Sequence, residues 1–198
     1  MATFGNTSTT QNDTLLLGAG RAKGSYFTLS EAAVLTSGSI YGRCPEPGSS
    51  EKLRICVYAY DAGDMGDLQD VTAEIIADYN GGSSKWWTAN FTGQTLSAGT
   101  YWLVAWGGPV TGIAFLLTLQ SSGGNGEYQN TSFATYHSTN DPPDPGGSIS
   151  VIEAKYNVSI YATYELAGPA PSSSAKYPGT TSSGASTPYD DNDWVNLA

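Results

Sequence analysis

The segment Lys52–Asp61, which reads KLRICVYAYD, alternates between two sets of side chains with a period of two. One side carries Leu53, Ile55, Val57 and Ala59, and the other carries Arg54, Cys56, Tyr58 and Tyr60. Because successive side chains of a β-strand point to opposite faces, this pattern predicts a strand with one face on a hydrophobic core.

Similar stretches occur along most of the chain and predict further strands. They are Arg21–Leu29, Ala32–Tyr41, Lys85–Phe91, Thr100–Trp106 and Gly112–Leu119. Two of these segments, Thr100–Trp106 and Gly112–Leu119, are apolar on both alternations, which is typical of central strands covered on both faces. The segment Val71–Tyr79 fits a strand or a short helix, and Ser148–Leu166 fits one bent strand or two.

Turn-forming residues separate these segments and predict loops. The predicted loops are Cys44–Ser50, Asp61–Asp70, Asn80–Ser84, Ser121–Gly126 and Asn140–Gly147. Many short strands at this spacing favour an all-β fold, either an antiparallel β-sandwich or a barrel.

The composition changes at Ala167, where periodicity ends and Pro, Gly, Ser and Thr dominate. We therefore assign residues 1–166 to a β-sandwich domain and residues 167–198 to an extended arm. The arm ends in aromatic and apolar side chains among aspartates, which we interpret as an anchor at its tip; a disordered tail is the alternative. The predicted assembly residues of the arm are Tyr177, Tyr189, Trp194, Val195 and Leu197.

Charge is scarce and mostly negative. Charged residues make up 13% of the 198 positions, and eight Lys and Arg face eighteen Asp and Glu for a formal net charge of −10. Phosphate neutralisation needs a basic patch, so we expect no nucleic-acid partner, and an anionic membrane surface would repel the chain. A neutral surface rich in Gly, Ser and Thr is typical of extracellular and virion β-proteins.

The start of the chain carries Met and lacks the basic and apolar regions of a signal peptide. A protein kept in the cytosol and one released by lysis both fit this observation. A mature domain whose signal was removed is a third option, and the Met at position 1 counts against it. Cys44 and Cys56 fit either a disulfide across a hairpin or two separate buried thiols, so the redox compartment stays open.

No constellation for covalent catalysis is visible in the sequence. His137 is the only histidine and lies in a polar segment, and neither a GxSxG elbow nor a phosphate-binding glycine loop occurs. Carboxylate pairs are too numerous to be informative about glycosidase chemistry. We expect a protein that is not an enzyme and that needs no cofactor, with calcium as the one ion to consider.

Calcium is suggested by the regular spacing of Asp61, Asp64, Asp67 and Asp70. Calcium takes six to eight oxygen ligands, and carboxylates on a Gly-containing loop can supply several of them. The spacing is not that of an EF-hand loop, and a solvated acidic loop is the alternative interpretation.

Aromatic residues are abundant, at 12% of the chain. Trp102 and Trp106 lie in a doubly apolar strand and are expected in the core. Four other aromatics are candidates for sugar stacking or for an interface, namely Trp86, Trp87, Tyr58 and Tyr60. Trp86 and Trp87 are adjacent, so one of them must face inward and the other outward, whereas Tyr58 and Tyr60 also fit a half-exposed sheet face.

Five segments together resemble jelly-roll-like β-sandwich domains found in phage virion proteins and in bacterial extracellular proteins. They are Thr3–Thr7, Ser25–Leu29, Leu53–Asp61, Leu96–Trp106 and Val158–Tyr164. The resemblance covers about residues 3–166 and implies a jelly-roll-like sandwich used for display, adhesion or shell reinforcement. It brings no shared catalytic motif.

Three functions follow as hypotheses. The first is a capsid decoration or cement protein, located in the virion, that forms a homo-oligomer such as a trimer and binds the major capsid protein or another virion protein. The second is a carbohydrate-binding or adhesion module of a tail fibre or of an extracellular, cell-surface protein, with glycans as partners. The third, supported only by abundant acids and aromatics, is a small glycoside hydrolase or lyase.

Overall fold

The structure is a computed structural model. It describes residues 1–10, 13–17, 22–48, 50–107, 115–120, 127–130, 142, 144, 146, 150–153 and 157–168. Residues Met1–Ala167 form one compact unit. Apart from residues 167 and 168, the predicted arm lies outside the described residues. In the described part, no helix has the length and apolar character needed to cross a membrane.

All regular structure in the described residues consists of β-strands. In chain order these are β1 (Ala2–Gly5), β2 (Asp13–Leu17), β3 (Ala22–Leu29), β4 (Ala33–Arg43), β5 (Ser50–Asp61), β6 (Asp64–Val71), β7 (Ile75–Asp78), β8 (Lys85–Asn90), β9 (Thr95–Leu96), β10 (Gly99–Gly107), β11 (Phe115–Gln120), β12 (Glu127–Asn130), β13 (Ser150–Glu153), β14 (Asn157–Val158) and β15 (Ile160–Leu166).

The strands form two antiparallel sheets. Sheet A has the order β1-β15-β4-β11-β14, with β2 beside β11 and with β8 and β9 beside β4. Sheet B has the order β13-β12-β3-β10-β5-β6, with β7 beside β5. The chain crosses between the sheets repeatedly, for example from β3 to β4 and back to β5. The predicted all-β, antiparallel sandwich is therefore confirmed, and the crossings fit its jelly-roll-like character.

The main core lies between the sheets and follows the alternation of β5. Leu53, Ile55 and Val57 are at most 1% exposed and pack into this core with Ile40 and Ile160 of sheet A. Burying each such side chain stabilises the fold by about 1.5–3 kcal/mol, because apolar surface leaves water.

A second hydrophobic cluster covers the outer face of sheet B. It contains Ala22, Cys56, Tyr58, Met65, Trp102, Val104 and Trp106. This explains why β10 is apolar on both alternations: one of its faces meets the main core and the other meets this cluster. The predicted core positions of Trp102 and Trp106 are confirmed by exposures of 3% and 0%.

A short part of the chain lies against this second cluster. The Gly146 N–H donates to the Gly66 carbonyl at 2.9 Å, and the Leu68 N–H donates to Asp144 Oδ1 at 2.8 Å. A Cβ added at Gly146 would lie 2.6 Å from the Cβ of Met65, so only glycine allows this close approach.

The predicted loop Asp61–Asp70 is wrong, because β6 occupies Asp64–Val71. The connection from β5 consists of Ala62 and Gly63, both with positive φ (49° and 109°). Positive φ at both central residues belongs to a tight two-residue hairpin turn. Of the aspartates in this segment, the exposed Asp64 and Asp67 lie on β6, which ends the order of sheet B and where charge discourages pairing with other chains.

Two open assignments are resolved by the structure. The segment Val71–Tyr79 contains strand β7 and no helix. The segment Ser148–Leu166 contains the three strands β13, β14 and β15, whereas the sequence pattern predicts one bent strand or two.

Candidate functional site

The outer face of sheet A, over β15, β4 and β8, carries aromatic and hydroxyl side chains in aligned rows. Strand pairing places Tyr41 opposite Trp86, aligns Tyr161 with Ser39 and Thr88, and aligns Thr163 with Ser37 and Asn90. On the flanking strand β1, Thr3 lies opposite Thr163. We call these residues the aromatic–hydroxyl face: Thr3, Ser37, Ser39, Tyr41, Trp86, Thr88, Asn90, Tyr161 and Thr163.

Strand alternation points the three aromatic rings of this face outward. Trp87, the neighbour of Trp86, is buried in the main core, and its Nε1 donates to the Gly42 carbonyl at 3.0 Å. Ile40 and Ile160, the neighbours of Tyr41 and Tyr161, are also core residues. Successive side chains of a strand point to opposite faces, so Trp86 faces outward beside the inward-facing Trp87. The prediction of one inward and one outward tryptophan is confirmed.

The three rings form one cluster with Trp86 at its centre. The ring centroids of Tyr41 and Trp86 are 5.1 Å apart with planes tilted by 53°. The centroids of Trp86 and Tyr161 are 4.8 Å apart in an edge-to-face arrangement of 72°. All three residues are half-buried, so each presents part of its ring to solvent. Such ring pairs contribute about 0.5–1.5 kcal/mol beyond area burial and hold the rings in place.

Hydroxyl groups pair across the strands beside the rings. Ser39 Oγ lies 2.8 Å from Thr88 Oγ1. The Thr163 hydroxyl lies 2.6 Å from Ser37 Oγ and 2.7 Å from Thr36 Oγ1. A hydroxyl has one donor and two acceptor positions, so a paired hydroxyl keeps capacity for a ligand.

The aromatic–hydroxyl face carries no ionisable carboxylate, amine or guanidinium, although the chain as a whole has a net charge of −10. Arg43 follows Tyr41 by two residues, and its Nη1 donates to the Gly82 carbonyl at 2.7 Å. Glu165 follows Thr163 by two residues and is exposed. These two residues bound a neutral surface in an acidic protein.

The four predicted aromatics lie in different environments. Tyr58 and Trp87 are 0% and 9% exposed, so neither presents an open ring face. Tyr60 is 38% exposed on the outer side of sheet B, where its ring lies 4.9 Å from Tyr26 and 6.4 Å from Trp102. Trp86 alone of the four belongs to the aromatic–hydroxyl face.

Tyr41 and Tyr161 are part of the face but are not among the aromatics that the sequence pattern predicts for binding. Tyr41 stands at the predicted end of a strand, and Tyr161 lies in a segment that fits one bent strand or two. Their position beside Trp86 depends on pairing between β4, β8 and β15, which no local pattern specifies.

The four aspartates proposed for calcium are not brought together as a shared ligand set. Asp61, Asp64 and Asp67 are exposed along the β5–β6 hairpin, whereas Asp70 is 4% exposed. Among the described residues, no group of three or more His, Cys, Asp or Glu side chains could hold a metal ion. Calcium binding therefore stays a prediction.

The two cysteines are free and buried. Cys44 belongs to the main core and its Sγ donates to the Ala77 carbonyl at 2.7 Å, whereas Cys56 belongs to the second cluster. Burial raises the pKa of the Cys56 thiol well above its ordinary value, which keeps it protonated. The interpretation as two separate thiols holds.

Glu51 is a buried carboxyl that is not among the residues predicted from the sequence. It is 5% exposed, and within the described structure its Oε1 has no hydrogen-bond partner. Desolvation raises its pKa from 4.5 to about 7. A signal was present, because Glu51 stands two residues before Leu53 on the core side of the alternation.

His137 and the predicted arm residues lie outside the described residues. The arm residues are Tyr177, Tyr189, Trp194, Val195 and Leu197. No protein-family model matches the chain, and no curated protein matches it.

Proposed function

We propose that this chain is a non-enzymatic binding protein that recognises carbohydrate through its aromatic–hydroxyl face. The observation that carries the proposal is the partly exposed cluster of Tyr41, Trp86 and Tyr161 among uncharged, hydroxyl-bearing side chains of the aromatic–hydroxyl face. Such a module fits a virion fibre or an extracellular surface protein, and it needs no cofactor.

The chemistry of a sugar matches this surface. A pyranose ring has an apolar C–H face that packs on an aromatic ring, and its rim of hydroxyls needs neutral donors and acceptors. Trp86 offers the ring, and Thr88 and Asn90 offer exposed polar groups in line with it along β8. A small number of placed polar groups beside aromatic side chains can fix the orientation of a small ligand.

The test is a comparison of purified chains on an array of immobilised glycans. We expect the Trp86→Ala variant to lose binding at least tenfold, which corresponds to about 1.4 kcal/mol. Tyr60→Ala is the matched control, because it removes an exposed aromatic ring from the opposite sheet. Thermal melting of both variants shows whether they remain folded.

Two results would overturn the proposal. One is the absence of glycan binding by the intact, folded chain. The other is equal binding by the Trp86→Ala variant and the unmodified chain, since the central ring would then play no part.

A second candidate is a virion structural protein that decorates a capsid as a homo-oligomer, with the major capsid protein as its partner. It is favoured by the low charge content and by the C-terminal residues Trp194 and Leu197 at the end of a Gly- and Ser-rich segment. An aromatic-rich surface without charge also suits the centre of a protein interface. The oligomeric state of the chain tests this candidate.

A further inference from the structure

We infer that the ligand of the aromatic–hydroxyl face is a neutral oligosaccharide of at least two sugar units that lies along β4 and β8. This inference rests on the proposed carbohydrate-binding function and adds the charge, the length and the direction of the ligand. Three features carry it: the change from an aromatic row to a purely polar row across the face, the length of these rows, and the absence of charged side chains among the residues of the face.

Tyr41 and Trp86 form the row at one end of the face, and Tyr161 lies in the next row beside Ser39 and Thr88. Only polar groups make up the last row, which contains Ser37, Asn90 and Thr163. Along β8, Trp86 is followed on the same face by Thr88 and then by Asn90. Along β4, Tyr41 is followed in the same direction by Ser39 and Ser37, because the two strands are antiparallel and paired. The surface therefore has an aromatic end and a polar end.

The length of these rows exceeds one sugar ring. Residues two apart on a strand are separated by about 6.5 Å, so the row from Trp86 to Asn90 extends over about 13 Å. One sugar stacked on Trp86 would leave Asn90 without a ligand contact. A second unit placed over Thr88 and Asn90, both exposed, would use the polar end.

The polar side chains of the face differ in their exposure to solvent. Thr88, Asn90 and Thr3 are exposed, whereas Ser39 is 1% exposed and is paired with Thr88. The exposed groups can donate to and accept from a ligand, and the buried serine holds Thr88 in place. The second sugar unit is therefore recognised mainly by Thr88 and Asn90.

The charge distribution selects a neutral ligand. The Arg43 guanidinium donates to the Gly82 carbonyl, and the Lys85 ammonium lies 3.9 Å from the ring centroid of Trp87, whose side chain faces inward. Arg43 borders the aromatic end, so a cation is near the first sugar unit only. An anionic sugar unit over Thr88 and Asn90 would lose water without gaining a cationic partner, and the net charge of −10 would repel it.

The experiment uses the full chain on an array of neutral, carboxylated and sulfated oligosaccharides of one to six units. We expect the hits that depend on Trp86 to be neutral and to gain at least fivefold in affinity from one unit to two or three. The Thr88→Val, Asn90→Ala double variant should lose that gain and keep the weak binding of single units. The control is Thr100→Val, since Thr100 pairs with Thr28 on the opposite sheet.

The outcomes separate this inference from the proposed function. Absence of any Trp86-dependent glycan binding overturns both. Trp86-dependent binding that favours anionic sugars, or that does not increase beyond one unit, overturns this inference and leaves the proposed function standing. A double variant that binds the longer neutral sugars as tightly as the unmodified chain also overturns it.

Discussion

Asp70 joins the end of β6 to the turn before β9 through both of its carboxylate oxygens. Its Oδ1 accepts from the Val71 N–H at 2.8 Å, from the Thr92 N–H at 3.2 Å and from the Thr92 hydroxyl at 2.6 Å. Its Oδ2 accepts from the Gln94 N–H at 3.0 Å. A buried carboxylate satisfied in this way connects the edge of sheet B to the segment that leads into sheet A.

We predict that Asp70→Ala lowers the free energy of unfolding by about 1–3 kcal/mol, because three N–H groups and the Thr92 hydroxyl lose a charged acceptor. Asp70→Asn should have an intermediate effect, since its amide nitrogen cannot accept from Gln94. The exposed Asp67→Ala is the control and should change stability by less than about 0.5 kcal/mol. Urea unfolding measures all three, and equal effects of the two alanine variants would contradict the role of Asp70.

Glu51 makes the stability of the fold depend on pH. Its folded-state pKa of about 7 lies above the ordinary 4.5, so the folded chain binds the proton more tightly than the unfolded chain does. The contribution of Glu51 is therefore most favourable at low pH. It becomes less favourable as the pH rises from 4.5 to about 7 and is constant above that range.

We predict that Glu51→Gln raises the free energy of unfolding by about 1–3 kcal/mol at pH 8, because a neutral amide avoids burying a charge. The difference between variant and unmodified chain should shrink as the pH falls toward 4.5. Melting curves over this pH range measure it. A constant difference at all pH values would show that the protonation of Glu51 does not change over this range. That result would contradict the raised pKa of Glu51.

At the scale of single elements, the β5–β6 hairpin contains a strained residue. Ala62 has a φ of 49°, a region that residues with a Cβ rarely adopt, and Gly63 follows it with 109°. An Asn-Gly pair is the preferred sequence for a two-residue turn of this kind.

We predict that Ala62→Asn or Ala62→Gly stabilises the protein by about 0.5–1 kcal/mol, because the strain at positive φ is removed. Gly63→Ala should destabilise it by a similar or larger amount, because a residue with a Cβ rarely adopts a φ of 109°. No atom lies within 4 Å of the added Cβ, so this backbone strain is the only expected cost. Thermal melting distinguishes the opposite signs. Destabilisation by both Ala62 variants would contradict this turn geometry.

At the scale of the whole molecule, the first and last described strands, β1 and β15, pair with each other at one end of sheet A. β1 pairs with β15 from Ala2 opposite Tyr164 to Gly5 opposite Tyr161, and Phe4 is 6% exposed in the main core. Met1–Ala167 is one compact unit, and it contains the described core residues of both hydrophobic clusters. We therefore expect this unit to fold without residues 169–198.

The second candidate function gives a prediction at this scale. If residues 169–198 hold an oligomer together, light scattering of the full 20.7 kDa chain should give a multiple of that mass. A chain that ends at Gly168 should then be a folded monomer, because strand addition by the arm would be lost. An oligomer that survives truncation would contradict the role of the arm, and a monomer in both cases would favour the carbohydrate-binding module.

Local patterns along the chain determined the fold class. The alternation of Lys52–Asp61 predicted which side of β5 meets the main core, and the doubly apolar Thr100–Trp106 predicted a strand buried on both faces. These predictions hold because the direction of a side chain on a strand depends only on its own backbone. The prediction failed at Asp61–Asp70 because the composition there is typical of turns. The strand in this segment has few buried residues, Met65 and Asp70, so no apolar alternation marks it.

The candidate site was decided by tertiary structure. Tyr41, Trp86 and Tyr161 come from three strands that are distant in sequence, and they meet only because β4 pairs with β8 on one side and β15 on the other. A register irregularity between Thr163 and Tyr164 adjusts the alignment of β4 with β15. A shift of one residue would turn every side chain of a strand to the other face, so register, which depends on long-range packing, placed these rings together.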